Sequence, residues 1–541
     1  MAPRRYDPAP SYPTVDGTVE TGLPRLPRGV LAIDGPAALP WEGLVAGLQG
    51  QDRPTIDIRE HLVPWREVEA RTSRAELPGD PVFARLPDGS LGDLFDELPA
   101  PGAGTIVFGP GSALVPHDVL WYADVPKRIA LERIRQGAAP NLGMQPKANG
   151  SEQRLLFVDW PLQDRHKQEL LPRIDRYLDL SDPDAIHSLD GTSLRHTLAA
   201  LAGRPFRTRP AFLPGPWGGQ WLLRELGIDA DAPNLAWSYE LIAPEAGILV
   251  DSLEVGFELL MAAEGERVLG EEAAARFGSS FPIRFDYLDT LAGGHLSIQC
   301  HPTPEYMEAT FGLPYTQVET YYVVETTPEA KVFLGLREDA DIAAFERDAR
   351  AALAGREFDP ERYLQAHDAK RHQLYLIPPG TPHASGAGNV VLEISATPYL
   401  YTLRFYDWLR RNGSGELRPV HVDHAFANLD PERRGASVGR NLIQEPRTVR
   451  SGPGWVELEL GSLPELFFAV HRLDFRGEME DDTRGTFYVL NLVEGESATI
   501  ETVAGDDHPL AYGETLVIPA AVGKYRLRSA GSCKLIKAFV K

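Results

Sequence analysis

The segment His295–Pro302, which reads HLSIQCHP, constrains the fold of this chain more than any other segment. In a β-strand alternate side chains share a face, so Ser297, Gln299 and His301 point one way. Cys300 then points the other way, into a core. An amide and an imidazole two residues apart on one face can reach a single metal ion. The pattern therefore predicts a β-sheet with a metal site on one of its faces.

Two more side chains of ligand type follow at a distance. Glu319 lies in TQVETYYVVE, and His383 lies in LIPPGTPHASG. Together with Gln299 and His301 they give two nitrogen and two oxygen ligands, a set that suits zinc or a similar divalent ion. We expect one such ion per chain.

The same motifs resemble those of the type I mannose-6-phosphate isomerases, zinc-dependent enzymes of the cupin superfamily. The shared patterns are LSIQ-x-HP, the YYVVE strand and PPGTPHA-x-GAG, and a weaker likeness continues to the C-terminus. The resemblance implies a multidomain protein whose second part is a mainly β bicupin, that is, a double-stranded β-helix. The implied boundaries are a catalytic cupin domain at 206–416 with a helical insert at 339–370, a linker at 417–454 and a C-terminal cupin domain at 455–541.

The resemblance also implies an activity. It is that of an aldose–ketose isomerase, interconverting mannose 6-phosphate and fructose 6-phosphate through a metal-stabilised enediol. The resemblance favours zinc, although the ligand types also suit iron, cobalt or manganese. Two alternatives stay open: a related sugar isomerase of different specificity, and a non-catalytic, sugar-binding regulatory cupin.

Two residues match catalytic positions of this family. Arg404, in YTLRFYDW, corresponds to its catalytic arginine, and Glu393, in VVLEIS, to a glutamate that faces the pocket. Arg404 is expected to act in the chemical step, with a structural pair to Asp407 as the alternative. Glu393 is expected to transfer the proton or to orient a group, with support of a metal ligand as the alternative.

Substrate binding is where the chain departs from the family. Ser297 is retained, but Gln317 replaces a lysine that commonly stands two residues before the metal-binding glutamate. A neutral amide does not replace an ammonium charge. Arg410 is therefore expected, with Ser297, to bind the anion of a small sugar phosphate, and the exact sugar stays open.

Residues 22–205 have the pattern of an α/β unit with a parallel sheet, because short apolar strands alternate with helical stretches. VLAIDGP followed by TIVFGPGSAL resembles P-loop kinases of the uridine kinase type. The phosphate-binding glycine and lysine are absent, and Pro36 and Pro40 remove amide donors. We therefore expect a degenerate, non-catalytic domain, in which His166, Lys167 and Arg173 lie on the solvated surface.

The composition limits the classes of molecule that the protein is expected to bind. The net charge of −23 argues against nucleic acid and anionic membrane surfaces. Two cysteines give no disulfide framework, which favours a cytoplasmic location. Residues 1–21 are proline-rich and have no apolar signal core, so a flexible tail is expected there. The sequence leaves the oligomeric state open.

Overall fold

The computed structural model describes residues 5–48, 53–73, 77, 80–182, 185–413 and 415–541. Within these residues the chain forms an N-terminal α/β unit, a central unit of two antiparallel sheets and a C-terminal antiparallel unit. The fold is thus multidomain and mainly β, as predicted.

The N-terminal unit alternates strands and helices. In chain order its elements are β1 (Ser11–Tyr12), β2 (Glu20–Thr21), β3 (Leu31–Asp34), α1 (Trp41–Leu48), β4 (Thr55–Asp57), α2 (Trp65–Thr72), β5 (Ile106–Phe108), β6 (Val119–Asp124), α3 (Lys127–Arg135), α4 (Glu152–Arg154), α5 (Trp160–Leu170), β7 (Arg176–Asp179), β8 (His187–Asp190) and α6 (Gly191–Leu201).

Seven of these strands form one sheet in the order β2-β8-β7-β6-β3-β5-β4. The five strands β7, β6, β3, β5 and β4 run parallel, which confirms the prediction of a parallel sheet. Strand β3 is buried along its length, as expected for a central strand covered on both faces.

The central unit follows. Its elements are β9 (Ala211–Leu213), α7 (Trp221–Arg224), β10 (Trp237–Leu241), β11 (Gly247–Val250), β12 (Leu253–Gly256), α8 (Phe257–Leu269), α9 (Glu271–Phe277), β13 (Ile283–Asp289), β14 (Ile298–Cys300), α10 (Pro304–Tyr306), β15 (Glu319–Thr326), β16 (Lys331–Leu336), α11 (Ile342–Ala352), β17 (Leu364–Asp368), β18 (Leu374–Ile377), β19 (His383–Ser385), β20 (Asn389–Ala396), β21 (Leu403–Tyr406), α12 (Val422–Asn428) and α13 (Ala436–Leu442).

Two sheets make up most of the central unit. One has six strands in the order β18-β15-β20-β13-β10-β9, and the other has five in the order β17-β16-β19-β14-β21. Cys300 is buried and its Sγ lies 3.6 Å from the Ala425 carbonyl of α12, so it faces away from His301 as the alternation of the strand predicts.

The C-terminal unit is all antiparallel. It comprises β22 (Arg447–Gly452), β23 (Trp455–Gly461), β24 (Phe468–Asp482), β25 (Tyr488–Glu494), β26 (Ser497–Thr502), β27 (Asp507–Ala511), β28 (Thr515–Ile518) and β29 (Lys524–Val540). The long strands β24 and β29 pair along their whole lengths and hold the sheet together.

The prediction of a flexible N-terminal tail is wrong for the described residues. Strand β1 pairs in parallel with β11 of the central unit, and the Tyr6 hydroxyl donates to Glu240 at 2.6 Å. Tyr6 is buried against the central unit. The proline-rich composition predicted a flexible segment. Burial of a single aromatic ring is nevertheless enough to anchor such a segment, and composition does not show this.

Two further expectations are corrected. The segment 417–454 is not an open linker, since α12 and α13 bury Val422, Ala425, Val438 and Leu442. The segment is polar on average, but each of the two helices has an apolar face, which the average does not show. In the expected helical insert only the first half is helical, as α11. The later half includes the edge strand β17, where antiparallel pairing with β16 overrides helical spacing.

The end of β3 is occupied by a buried carboxylate. Asp34 accepts backbone N–H groups from Gly35, Gly111 and Ala113 at 2.7, 3.2 and 2.8 Å. His166 lies 2.9 Å from the same carboxylate. Lys167 binds the carboxylates of Asp124 and Glu258. The expectation that His166 and Lys167 are solvated is therefore wrong, because both side chains pair with carboxylates inside the protein.

Removing His166 is expected to destabilise the protein in a pH-dependent way. Burial opposes the charge of the imidazole, but Asp34 outweighs it and raises the pKa of His166. The stabilisation is then complete below the unfolded-state pKa of about 6.5 and is lost as the pH rises through the higher folded-state value. His166→Gln should cost about 3–5 kcal/mol at low pH. Thermal melts at about pH 6 and about pH 9 test this, and an equal loss of stability at both would contradict it.

Candidate metal centre and substrate cavity

Three ligand-type side chains meet between the two central sheets. His301 follows β14 and His383 begins β19 in the five-stranded sheet, while Glu319 begins β15 in the six-stranded sheet. One ligand atom from each lies within 4.8 Å of the others, and all three residues are buried. The structure therefore brings together three of the four predicted metal ligands.

The proton positions suit a cation at this centre. His383 Nδ1 lies 2.9 Å from the Thr381 carbonyl, and His301 Nδ1 lies 3.4 Å from the Tyr401 carbonyl. When the His383 Nδ1–H donates to the Thr381 carbonyl, His383 Nε2 presents a lone pair to Glu319, 3.2 Å from its Oε2. Such backbone partners fix the tautomer of metal-binding imidazoles.

Two further observations support this fit. Burial lowers the pKa of His301, which favours the neutral form that binds metals. Glu319 Oε1 is buried, and none of the residues that the structure describes forms a hydrogen bond with it. A buried acceptor of this kind is costly unless a ligand satisfies it. The group thus has a donor set and an unsatisfied oxygen that fit a divalent ion.

Gln299 lies between this centre and a cavity. Its amide Nε2 is 3.5 Å from His383 Nε2, and the Ser297 hydroxyl donates to its Oε1 at 2.9 Å. Rotation of the amide by half a turn would present the oxygen to His383 and to the centre. Gln299 and Ser297 share one face of the strand, as predicted, and both line the cavity.

The cavity has a volume of about 320 Å³. This is at the lower end of the range of about 300–1,000 Å³ for small-molecule sites. Its polar lining includes four arginines and two carboxyl groups: Arg135, Arg284, Arg404, Arg418, Asp286 and Glu393. An excess of guanidinium groups in a chain of net charge −23 favours an anionic ligand.

One buried arginine joins the two carboxyl groups. Arg284 and Asp286 are two residues apart on β13, and Glu393 is directly opposite Asp286 on β20. Arg284 binds Glu393 through Nη2 and lies 3.6 Å from Asp286. Burial raises the pKa of Asp286 to about 6 and that of Glu393 well above its ordinary value. Two buried carboxyl groups beside one cation, both with raised pKa values, are typical of acid–base sites.

Arg404 lines the cavity from the five-stranded sheet, opposite Gln299 in the strand register. In the described chain its buried Nε has no hydrogen-bond partner, and its Nη1 donates to the Pro419 carbonyl at 3.3 Å. Burial, together with Arg418, lowers the pKa of Arg404 to about 10. Asp407 binds Arg410 and Arg418 instead, so the structural alternative for Arg404 is not what the structure shows.

Arg410 does not reach the cavity. Its guanidinium binds Asp407 at 3.0 Å and the carbonyl of His295. Arg418, which also binds Asp407, lines the cavity in its place. The expectation for Arg410 is corrected because the chain turns after β21: the positive φ values of Trp408 and Leu409 redirect the backbone.

Gln317 lines the cavity beside Arg284. With its amide turned to satisfy both ends, it accepts from Arg284 Nη2 at 2.8 Å and donates to the Pro398 carbonyl at 3.0 Å and to His301 Nδ1 at 3.2 Å. The neutral Gln317 amide can thus bind the Arg284 guanidinium, whereas the ammonium group of a lysine would repel it.

Sequence reasoning missed several lining residues. Arg284 and Asp286 had a signal, since they alternate within FPIRFDYL, a strand that is otherwise apolar. No sequence pattern marked the other three residues, because only the fold brings them to the cavity: His421, Arg418 and the N-terminal Arg135.

The fold and the site define a multidomain, mainly β protein with a His–Glu–His group of metal-ligand type between two sheets. Mannose-6-phosphate isomerases are similar to it. ManA of Bacillus subtilis is 23% identical over 341 residues, covering 62% of this chain and 98% of that protein. The mannose-6-phosphate isomerase of Streptococcus mutans is 24% identical over 322 residues, covering 57% of this chain and 90% of that protein.

A solved structure shows the same fold. The crystal structure of the mannose 6-phosphate isomerase from Bacillus subtilis matches with a TM-score of 0.51 at 22% sequence identity, covering 62% of this chain and 99% of that one. A family described as a domain of unknown function (DUF8485) matches residues 14–203, the N-terminal unit. Within the described parts of the chain, no helix combines the length and apolar character needed to cross a membrane.

Proposed function

We propose that this chain is a metal-dependent aldose–ketose isomerase that interconverts mannose 6-phosphate and fructose 6-phosphate. The observation that carries the proposal is the buried group His301, Glu319 and His383, next to a cavity that contains a carboxyl pair. The similarity to mannose-6-phosphate isomerases over most of their length supports the choice of substrate.

The residues have separate tasks in this reaction. One divalent ion would be held by Gln299, His301, Glu319 and His383, with zinc as the first choice for two imidazoles and two oxygen ligands. When bound, such an ion supplies positive charge that stabilises the sugar oxygens of the enediolate. Burial of the whole group keeps water away and strengthens that interaction.

Glu393 is the group that moves the proton. It takes the proton from C2 of the aldose and delivers it to C1. The O2 hydroxyl proton passes to O1, so that the carbonyl moves from C1 to C2. Arg284 holds this carboxyl group in the cavity. Arg404 steadies the negative charge on the sugar oxygens, since its buried Nε has no hydrogen-bond partner among the described residues.

A coupled assay tests the proposal. Purified chain is incubated with mannose 6-phosphate, and fructose 6-phosphate is measured before and after removal of divalent ions with a chelator. We expect turnover that chelation abolishes and zinc restores. Absence of turnover with full metal occupancy would overturn the proposal.

One observation favours a second candidate, a related isomerase of different specificity. Gln317 is neutral and is engaged with Arg284, so the cavity lacks a lysine at this position. The same assay with other aldose phosphates and with free mannose distinguishes the two, because the preferred substrate has the highest kcat/KM.

We also propose that the N-terminal unit, despite its resemblance to P-loop kinases, transfers no phosphate. The three backbone N–H groups at the end of β3 are bound to the Asp34 carboxylate, which would repel a phosphate. Incubation of the full chain with ATP and sugars or nucleosides should give no phosphorylated product. A phosphorylated product that disappears with a chain lacking residues 1–205 would contradict this.

A further inference from the structure

The wall of the substrate cavity is not built by the central unit alone. Three of its lining residues, Val82, Phe83 and Arg135, belong to the N-terminal unit. They come from two separate places, a loop before β5 and the last residue of α3. The sequence similarity to isomerases does not explain this contribution, because a different family describes residues 14–203.

The loop is fixed firmly to the central unit. Asp80 accepts the N–H of Val82 and Phe83 at 2.8 and 2.6 Å and lies 2.9 Å from His424 of α12. The Leu86 N–H donates to the Phe311 carbonyl at 3.1 Å. The contacts to His424 and Phe311 hold the loop against the central unit, in the wall of the cavity.

Phe83 connects the loop to the polar end of the cavity. Its ring is buried and lies 4.7 Å from that of His421. Burial lowers the pKa of His421 to about 3, so the imidazole is neutral. Its Nδ1 accepts the Arg404 N–H at 3.2 Å, which leaves the proton on Nε2. Within the described parts of the chain this buried Nε2 has no hydrogen-bond partner, and His421 lines the cavity, so its N–H can donate to a ligand there.

The arginines of the cavity differ in depth. The side chain of Arg284 is 7% exposed, that of Arg418 is 20% exposed and that of Arg135 is 49% exposed. The turned Gln317 amide contacts both Arg284 and His301, so the metal-ligand group lies near the most buried arginine. Arg135, the most exposed of the three, therefore marks the outer end. A hexose 6-phosphate that places C1 and C2 beside the buried group directs its phosphate outward.

We propose that Arg135 of the N-terminal unit binds the phosphate of the substrate at the outer end of the cavity. The proposal rests on the proposed function and identifies the residue that takes over from the missing lysine. Arg284 is committed to carboxyl groups within the cavity, whereas Arg135 is paired with Glu152, which lies outside the lining. The N-terminal unit is accordingly part of the substrate site.

Arg135→Gln tests the proposal, with Arg66→Gln as the matched control. Arg66 is an exposed arginine on α2 of the same unit and lies outside the cavity lining. For Arg135→Gln we expect the KM for mannose 6-phosphate to rise about ten- to a hundredfold, the loss of one charged hydrogen bond. The KM for free mannose and both kcat values should stay the same, and Arg135→Lys should restore part of the affinity because it keeps the charge.

Binding of inorganic phosphate, measured by calorimetry on the full chain, separates this proposal from the proposed function. The wild-type chain should bind phosphate and Arg135→Gln should bind it more weakly, whether or not the chain turns over mannose 6-phosphate. Equal phosphate affinity in both proteins, or no binding to either, would overturn the role of Arg135. A parallel rise of KM for mannose and mannose 6-phosphate would also overturn it. Absent turnover with intact, Arg135-dependent phosphate binding would overturn the isomerase function alone.

Discussion

His301→Ala is expected to remove both the bound divalent ion and turnover. The substitution leaves Glu319 and His383 as the remaining protein ligands of the buried group, with Gln299 beside them. Because a bound ion contributes several kcal/mol to stabilising the transition state, kcat should fall by at least about a thousandfold. Elemental analysis and the coupled assay measure the two effects on the same preparation.

His196→Ala is the matched control for this variant. His196 lies on α6 of the N-terminal unit, and its side chain is 52% exposed. The control should keep both the ion and the activity. His301→Asn, which fills more of the buried space, guards against loss of folding. Full metal content and turnover in both His301 variants would refute the metal centre.

Glu393→Gln is expected to lower kcat while leaving the ion in place. Glutamine keeps the size and hydrogen bonds of the side chain but accepts no proton from carbon. Removal of a positioned general base costs about a hundred- to ten-thousandfold. Arg284 still has Asp286 as a partner, so the cavity should keep its shape. Stopped assays for kcat and elemental analysis for the ion give the result.

Glu325→Gln serves as the comparison. Glu325 lies on the adjacent strand β15 and is half-buried beside Arg371, away from the cavity lining. It should leave kcat unchanged. Loss of the ion together with activity in Glu393→Gln would show that Glu393 supports a metal ligand. Unchanged kcat would remove it from the chemistry altogether.

Local periodicity was enough to predict several parts of the protein. Strand alternation placed Ser297, Gln299 and His301 on one face and Cys300 on the other, and the structure confirms both statements. The parallel strands of the N-terminal unit were also predictable, because fully buried strands are short continuous apolar runs. Periodicity failed for Leu364–Asp368, where pairing with a neighbouring strand determined the conformation.

The sequence by itself determined which side chains face the same way along a strand, since that depends only on backbone geometry. The tertiary structure alone decided which strands and loops meet. It placed Glu393 opposite Asp286 and brought Arg135 to the cavity. It also paired Arg410 with Asp407, away from the cavity. These outcomes depend on the packing of segments far apart in sequence and on the competition of buried charges for partners, neither of which leaves a local pattern.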